Sequence, residues 1–465
     1  LKQPELIEME QAAVNAQDSF GRAIECDWPA EAAGSGSDSA GTSDNTEEDT
    51  ELIQFDSNRN GKIAFTITKE SAVYAPTPVK GSVEMNFSLA YDFPDTNTFH
   101  NLLDQDMHTL LNRCGISNEY GALTAFVGFD RMPALYSLFG VSTVGYGKEA
   151  PPADSFGLEE VSRRDTGEGE KLRVYHYDYA LPLGVTYDSY MSAEEYDAAR
   201  CSLLPYLMLE SALTERGGQS SDGKLQALED YACDFTLDKA FVKKNSLGME
   251  VSQLAITVNQ DVSDCFLYLD VTDVHCRYPK FFAGKILKIK ADESEKLQFI
   301  LWNENCNWPW TRKADRYSFN LGYRENGLKT LSFEFSAEYG DMKLYAIPAS
   351  VLTDACTART AETLEQVTFG RNTLDGDITV PSKKLLSVSL LHNDGWRVYV
   401  DGREQPLEKV NRIFLGVMLE EGTHHVRFVY RTPWLTAGLI CSGAGILLWI
   451  ALMFLYRRKK QEQGV

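Results

Sequence analysis

The spacing of hydrophobic and polar positions changes along the chain. Residues 4–15 form a short polar stretch with helical spacing. Residues 31–52, EAAGSGSDSAGTSDNTEEDTEL, are small and acidic and predict a disordered loop, because they offer little apolar surface to bury. In TFHNLLDQDMHTLLNRCG the apolar residues 99, 102, 103, 107, 110 and 111 share one helical face, with Gly115 as the C-cap. A second helical stretch opens at Ser192 and Glu195, a capping box, and is interrupted at Pro205.

From about residue 230 the spacing becomes that of strands. LAITVNQ, CFLYLDV, KLQFILW, TLSFEF and KLYAI are rich in β-formers and recur at intervals suited to an antiparallel sandwich. After a break near 350–366 a second set follows: GDITV, LLSVSLL, WRVYV, IFLGVML and HHVRFVY. Asp401-Gly402 and Glu421-Gly422 mark turns between these strands. No repeat period indicates a solenoid or propeller.

The last pattern is an unbroken apolar run, WLTAGLICSGAGILLWIALMFLY, with no charge over 23 residues. At about 1.5 Å per residue it crosses the roughly 30 Å hydrocarbon core. Trp434 and Tyr456 sit at its ends as interfacial anchors, and Arg457, Arg458, Lys459 and Lys460 follow directly. That basic cluster is denser than Arg427 and Arg431 upstream, so the C-terminus is read as cytoplasmic and the large N-terminal part as extracytoplasmic. The reverse orientation, a tail anchor facing the cytosol, is the alternative. Only Arg431 to Pro433 separate the last predicted strand from the span, a reach of about 10 Å. The final β-domain is therefore expected to rest on the membrane surface.

The expected fold class is an α+β N-terminal region followed by mostly antiparallel β, as two β-sandwich-like domains, and one C-terminal transmembrane helix. The expected divisions are 1–52, a polar helix and acidic loop; 53–225, α+β; 226–350, a β-sandwich; 351–432, a membrane-proximal β-domain; 433–457, the transmembrane helix; and 458–465, a basic tail. At 465 residues the chain can build several cores.

Charge narrows the partners. Asp and Glu number 67 against 45 Lys and Arg, a net charge of −22. That balance argues against nucleic acid, whose phosphates need clustered cations. Nine cysteines are scattered without a C-x-x-C pair, so mostly buried free thiols are expected, with one or two disulfides as the alternative, rather than a zinc site or a disulfide framework. The chain opens on Leu1 with no basic and apolar leader, and is read as processed or as part of something longer.

Candidate chemistry is sparse. DSNRNGKIAFTI carries Asp56, Asn58, Asn60 and Gly61 at calcium-loop positions, but Ile67 stands where a bidentate Glu is required; it reads as a tight turn entering a strand, with a weak cation site as the alternative. His100, Asp104, Asp106 and His108 read as a solvated helix face before a metal site. His424 and His425, adjacent in a strand, point to opposite sides. No catalytic motif is present, and no catalytic residue, metal site or cofactor is assigned. Trp308, Trp310 and Arg312, in LWNENCNWPWTRK, are the candidate carbohydrate contacts, with plugging of a sandwich end as the plainer role. Trp396 is read as core or membrane-facing.

Several segments together resemble a known family. Gly395-Trp396, Val400-Asp401-Gly402, Phe414-Leu415-Gly416 and Gly422-Thr423-His424, followed by the span, are similar in order and spacing to the C-terminal end of the YfhO family of bacterial membrane proteins. ALPLGVTYDSYMSAEEY resembles the family's Leu-Pro-Leu-Gly segment, and FNLGYRENGLKTLSFEF its Asn-Leu-Gly strand. LYSLFGVSTVGYG resembles a further segment, with Ser142-Thr143 in place of Lys-Tyr. The resemblance runs over roughly residues 15–460. It implies the outer portion of a polytopic GT-C-like glycosyltransferase that uses a polyprenyl-phosphate sugar, notably to modify lipoteichoic acid. It also implies an upstream polytopic half carrying the catalytic acids. The implied partners are the bilayer, that upstream half and an envelope glycan or polyprenyl-linked sugar. The other readings are a membrane-anchored, non-catalytic sandwich module that binds glycan or protein, and an anchored hydrolase.

Overall fold

The structure is a computed structural model that describes residues 62–65, 97–99, 105–116, 125–127, 129, 132–146, 156–166, 170–214, 223–244, 250–276, 285–291, 295–301, 315–335 and 337–462. The described strands are mostly antiparallel and fall in several sheets, with one apolar helix at the C-terminus. The calcium-like turn 56–61 lies outside the described residues. The strand it was expected to enter, Lys62–Phe65, is present and pairs in parallel with Val141–Tyr146.

Two β-sandwiches enclose a helical layer. In the first, the sheet of Tyr317–Arg324, Cys265–Thr272, Asp341–Pro348 and Ala232–Cys233 lies over a second sheet. The latter is ordered Glu295–Leu301, Lys285–Ala291, Thr330–Phe335, Glu250–Val258 and Phe235–Lys244. Leu254, Ile256, Leu267, Leu269, Phe319 and Leu344 fill the space between them. Strand 265–272 is buried on both faces. Its odd positions enter this core, whereas Phe266 and Tyr268 turn outward into the helical layer. That explains why CFLYLDV reads as a continuous apolar run.

The helical layer comprises α1 (Gln105–Arg113), α2 (Pro133–Phe139), α3 (Ala193–Ala198), α4 (Leu203–Glu210), α5 (Lys224–Glu229) and α6 (Ala349–Arg359). α1 starts later than the apolar spacing suggests, because Asn97–Phe99 pairs with Ala125–Val127 as a strand. Pro205 does not interrupt a helix. The chain breaks at 199–202, and Pro205 occupies the first turn of α4, where its missing N–H leaves no hydrogen bond unmade. The Ser192–Glu195 capping box forms as expected, with bonds of 2.8 and 3.1 Å. The break expected near 350–366 is largely α6.

α4 is buried on every side over Leu203–Leu209 and forms the hub of the layer. Its Tyr206 hydroxyl meets that of Tyr268 at 2.9 Å, and its Met208 carbonyl accepts from Tyr187 at 3.0 Å. All three phenols thereby keep a polar partner within an apolar core.

In the second sandwich one sheet is ordered Glu408–Val410, Phe414–Leu419, Lys384–Leu391 and Gly184–Tyr187. The other is ordered Glu365–Phe369, Thr373–Val380, Gly422–Tyr430, Trp396–Val400 and Arg403–Gln405. Leu374, Ile378, Val388, Val398, Leu415 and Phe428 are in its core. The edge strand 184–187 comes from the LPLG segment, so chain laid down before the first sandwich completes the second. Asp401 and Gly402 both have positive φ, at 52° and 77°, as a type I′ hairpin requires.

The helical layer also grips this second sandwich. Phe139 packs edge-on against Phe414 at 5.0 Å, Lys409 pairs with Asp106 at 2.6 Å, and Arg412 holds Asp197 by two bonds of 2.8 and 2.9 Å. Asn411 is fully buried and exchanges two 2.8 Å bonds with the backbone of Leu213. Asp106, expected on a solvated face, is therefore part of an interface.

The last helix, α7 (Leu435–Glu462), carries the span Leu435–Arg458, none of whose side chains is covered by protein. Tyr430 and Arg431 remain tied to the sandwich through Tyr430 N–H to the Asn372 carbonyl and Arg431 N–H to the Gly395 carbonyl, both 2.8 Å. Only Thr432, Pro433 and Trp434 then remain before α7. The span and the sandwich are joined by a tether of a single turn.

Candidate functional site

The expected carbohydrate contacts Trp308, Trp310 and Arg312 lie outside the described residues. Trp434 and Tyr456 bracket the span and are strongly exposed, at 85% and 71%. Arg457, Arg458, Lys459 and Lys460 continue α7 beyond Tyr456. Among the described residues no three His, Cys, Asp or Glu side chains converge as a metal site.

One concavity stands out for its position. It has a volume of about 440 Å3 and is built from residues 392–397 and 404–407. Strand register fixes where it lies. Strand 422–430 runs toward the span, and its last residue, Tyr430, sits opposite Trp396. The hairpin returns with Val398 opposite Gln405, which brings 406–407 back beside Trp396. The pocket therefore opens at the end of the sandwich nearest the membrane.

Its walls are mixed in character. Trp396 is half-buried, packs against the sandwich core and lies 5.2 Å from the Tyr430 ring. Pro406 and Leu407 add apolar surface beside it. The Asn393 side-chain oxygen accepts from Gly395 N–H at 2.9 Å and shapes the entering turn. Arg397 is exposed, and its Nη1 donates to the carbonyls of Asp394 and Trp396 at 3.2 and 2.8 Å. Glu404 lies 3.8 Å from Arg397 Nε, and Asp394 adds a second carboxylate to the lining. An aromatic surface rimmed by amides, two acids and a guanidinium suits a ligand with both apolar faces and many hydroxyls.

The pocket was not apparent from composition because its two halves are separated by the hairpin. Asp401-Gly402 did supply the signal. A two-residue turn there sets Val400 against Arg403, and counting back along the register brings Trp396 beside Leu407.

The opposite end of the same hairpin carries the histidines. His424 Nδ1 lies 2.8 Å from Asp401 Oδ2 and its Nε2 lies 3.0 Å from the Glu420 carbonyl, so both ring nitrogens face acceptors. Asp401 Oδ1 also accepts from His425 N–H at 2.9 Å. His425 turns to the other side and meets Asp377 at 2.7 Å. The Asp401 hydrogen bond holds the His424 pKa above its ordinary value, and His424 in turn holds the Asp401 carboxyl below its own. The raised histidine contributes stability that is full below about pH 6.5 and fades as pH rises through its folded value. The lowered aspartate contributes above about pH 4 and fades as pH falls through its folded value. His424→Gln is therefore expected to cost most between about pH 4 and 6.5, and under about 1 kcal/mol because Asp401 is half exposed to water. Thermal melts of both proteins from pH 4 to 9 test this; a pH-independent gap would rule the pair out.

The family model described as "Bacterial membrane protein YfhO" matches residues 35–442. The chain belongs to the YfhO family. The YfhO protein of Bacillus subtilis (strain 168) is 21% identical over 391 residues, which cover 81% of this chain and 42% of that protein. The chain thus spans well under half the length of that relative. Among solved structures, the mycobacterial arabinofuranosyltransferase AftD aligns over 62% of this chain and 26% of its own, at 10% identity and a TM-score of 0.16. Dimeric latent PorU from Porphyromonas gingivalis aligns over 62% and 29%, at 10% identity and a TM-score of 0.17. Likenesses at that level carry no functional argument.

Proposed function

We propose that this chain is the extracytoplasmic portion and last span of a polytopic GT-C-like glycosyltransferase of the bacterial envelope, non-catalytic by itself. Membership of the YfhO family over residues 35–442 is the observation that carries the reading. In it, a membrane half outside this chain moves a sugar from a polyprenyl-phosphate carrier to lipoteichoic acid or a related surface polymer. The two sandwiches hold a fixed pose over the membrane, with Arg457 to Lys460 on the cytoplasmic side. The short tether supports that role, since a rigid brace can keep a reacting surface in register. A polyanionic acceptor would be repelled by a net charge of −22, but Arg371 and Arg431 lie at the membrane end and oppose that charge locally.

The test is genetic and chemical. Deleting the gene should remove a sugar substituent from purified lipoteichoic acid, read by mass spectrometry, and the full-length gene should restore it. This chain alone should not. A full-length protein with about six Gly and Ser residues inserted between Thr432 and Pro433 should restore at least about tenfold less. Unchanged sugar content on deletion, or rescue by this chain alone, would refute the proposal. A non-catalytic glycan-binding module is the second reading, favoured by the pocket beside Trp396, and it predicts binding with no change in polymer composition.

A further inference from the structure

We infer that the pocket beside Trp396 is a saccharide subsite that takes the sugar headgroup of a membrane lipid. Five observations point the same way. The volume of about 440 Å3 lies within the roughly 300–1,000 Å3 of small-ligand sites. The walls pair an aromatic surface with exposed side chains of both hydrogen-bonding kinds: the Asn393 and Gln405 amides, the Arg397 guanidinium and the Glu404 carboxylate. A sugar ring has the same duality, with apolar C–H faces and a belt of hydroxyls that both donate and accept.

Charge narrows the class further. Arg397 and Glu404 pair at the opening, and Asp394 adds a second carboxylate to the lining, so the pocket offers no net positive charge. That favours an uncharged polyhydroxyl group over a bare phosphate, which would meet the Asp394 and Glu404 carboxylates in the wall. Arg397 is also preset for recognition. Its Nη1 is anchored on two backbone carbonyls, while Nη2 makes no such bond and is available to a ligand hydroxyl.

Position selects a lipid as the source. The turn 392–395 is bonded through the Gly395 carbonyl to Arg431, four residues before α7 begins. Arg371, beside the Asn372 carbonyl that accepts from Tyr430, and Arg431 are both exposed at this same end. Exposed arginines at headgroup height attract an anionic bilayer surface. A headgroup can therefore enter the pocket without its lipid leaving the membrane. This deepens the transferase reading, and rests on it only for the role of the bound sugar as substrate.

The test uses the intact protein in phosphatidylglycerol nanodiscs, each doped with diacylglycerol carrying glucose, galactose or N-acetylglucosamine. Lipid that co-purifies with the protein is quantified by mass spectrometry against unglycosylated diacylglycerol. At least one glycolipid should be enriched by about tenfold. Arg397→Ala and Gln405→Ala alter exposed side chains and should leave the melting temperature close to that of the parent, yet abolish most of the enrichment. Trp396→Ala should abolish it as well, but its half-buried ring makes the other two variants decisive. Enrichment of none of the three lipids, or enrichment that survives the Arg397→Ala/Gln405→Ala double variant, overturns the assignment. The polymer assay separates the two readings. Loss of the sugar substituent on deletion, without lipid enrichment, removes the pocket alone, and enrichment with no polymer change on deletion removes the transferase alone.

Discussion

Gly115→Ala is expected to destabilise the protein by about 2–5 kcal/mol, combining the cost of a left-handed L-residue with overpacking against backbone. Gly115 has φ +69° and ends α1, with Ile116 N–H reaching back to the Leu111 carbonyl at 3.0 Å. Its own carbonyl accepts from Ser318 N–H at 2.9 Å, so the helix end docks on strand 317–324 of the first sandwich. A methyl group there would lie 2.5 Å from the Ser318 backbone nitrogen and 2.9 Å from Cys201 Cβ. Neither neighbour is the free end of a flexible side chain. Gly402 is the control. It has φ +77° but nothing within 4 Å, so Gly402→Ala should show only the conformational cost of about 1–2 kcal/mol. Urea midpoints measure both. Equal losses would mean that the helix end is not seated against the sandwich.

Gly115 also illustrates what the sequence could reveal. Its role as a helix C-cap was legible, because a glycine after the last periodic apolar residue has a local cause. Its contact with Ser318, two hundred residues on, was not. The same division runs through the fold. Strands with alternating or continuous apolar runs were readable, since burial imposes their period. The partner that buries the second face of CFLYLDV was not readable, because it is the helical layer. LPLGVTY was visible as a family segment, but its place as an edge strand beside Lys384–Leu391 depends on long-range packing. Pro205 was read as a breaker on residue type alone. Its neighbours Leu203 and Leu204 are wholly buried and start the helix ahead of it.

The site follows the same logic. The apolar helix Leu435–Arg458 was legible from composition, because a bilayer imposes a length and a polarity on one contiguous stretch. The pocket joins residues 392–397 to 404–407, and only the hairpin register relates them. Trp396 was weighed as core or membrane-facing. It is half-buried on the sandwich core at the end nearest the span, and both properties meet in the one ring that lines the pocket.

Asp270→Ala should cost about 2–4 kcal/mol, whereas Asp270→Asn should leave the protein as stable or more stable at pH 7. Asp270 is the one wholly inaccessible carboxylate among the described residues, at the seam between the first sandwich and the helical layer. Its Oδ2 accepts from Ser202 N–H at 3.0 Å and from the Ser202 hydroxyl at 2.9 Å, which fixes the chain just before α4. Alanine would strand both donors. Oδ1 and the hydroxyl of Ser318, the residue opposite Asp270 in the adjacent strand, lie close enough to interact but do not form a well-aligned hydrogen bond with each other or with any other group. The asparagine oxygen can keep the Ser202 bonds while its amide turns toward Ser318, meeting two unmet needs at once. Burial drives the Asp270 pKa up to about 6, against the smaller opposing effect of Ser318 and Ser202. Its folded value thus lies above the unfolded one near 3.9. The folded protein binds the extra proton between about pH 4 and 6, and stability falls as pH rises through that window. Above it the ionised group costs about 3 kcal/mol, at about 1.4 kcal/mol per pKa unit. Asparagine cannot ionise, so its advantage over the parent should be small at pH 4 and grow to a plateau above pH 6. Urea titrations of the parent and both variants at pH 4.5 and 7.5 measure this. An asparagine variant that loses stability as pH rises, in parallel with the parent, would show that the slope comes from another group.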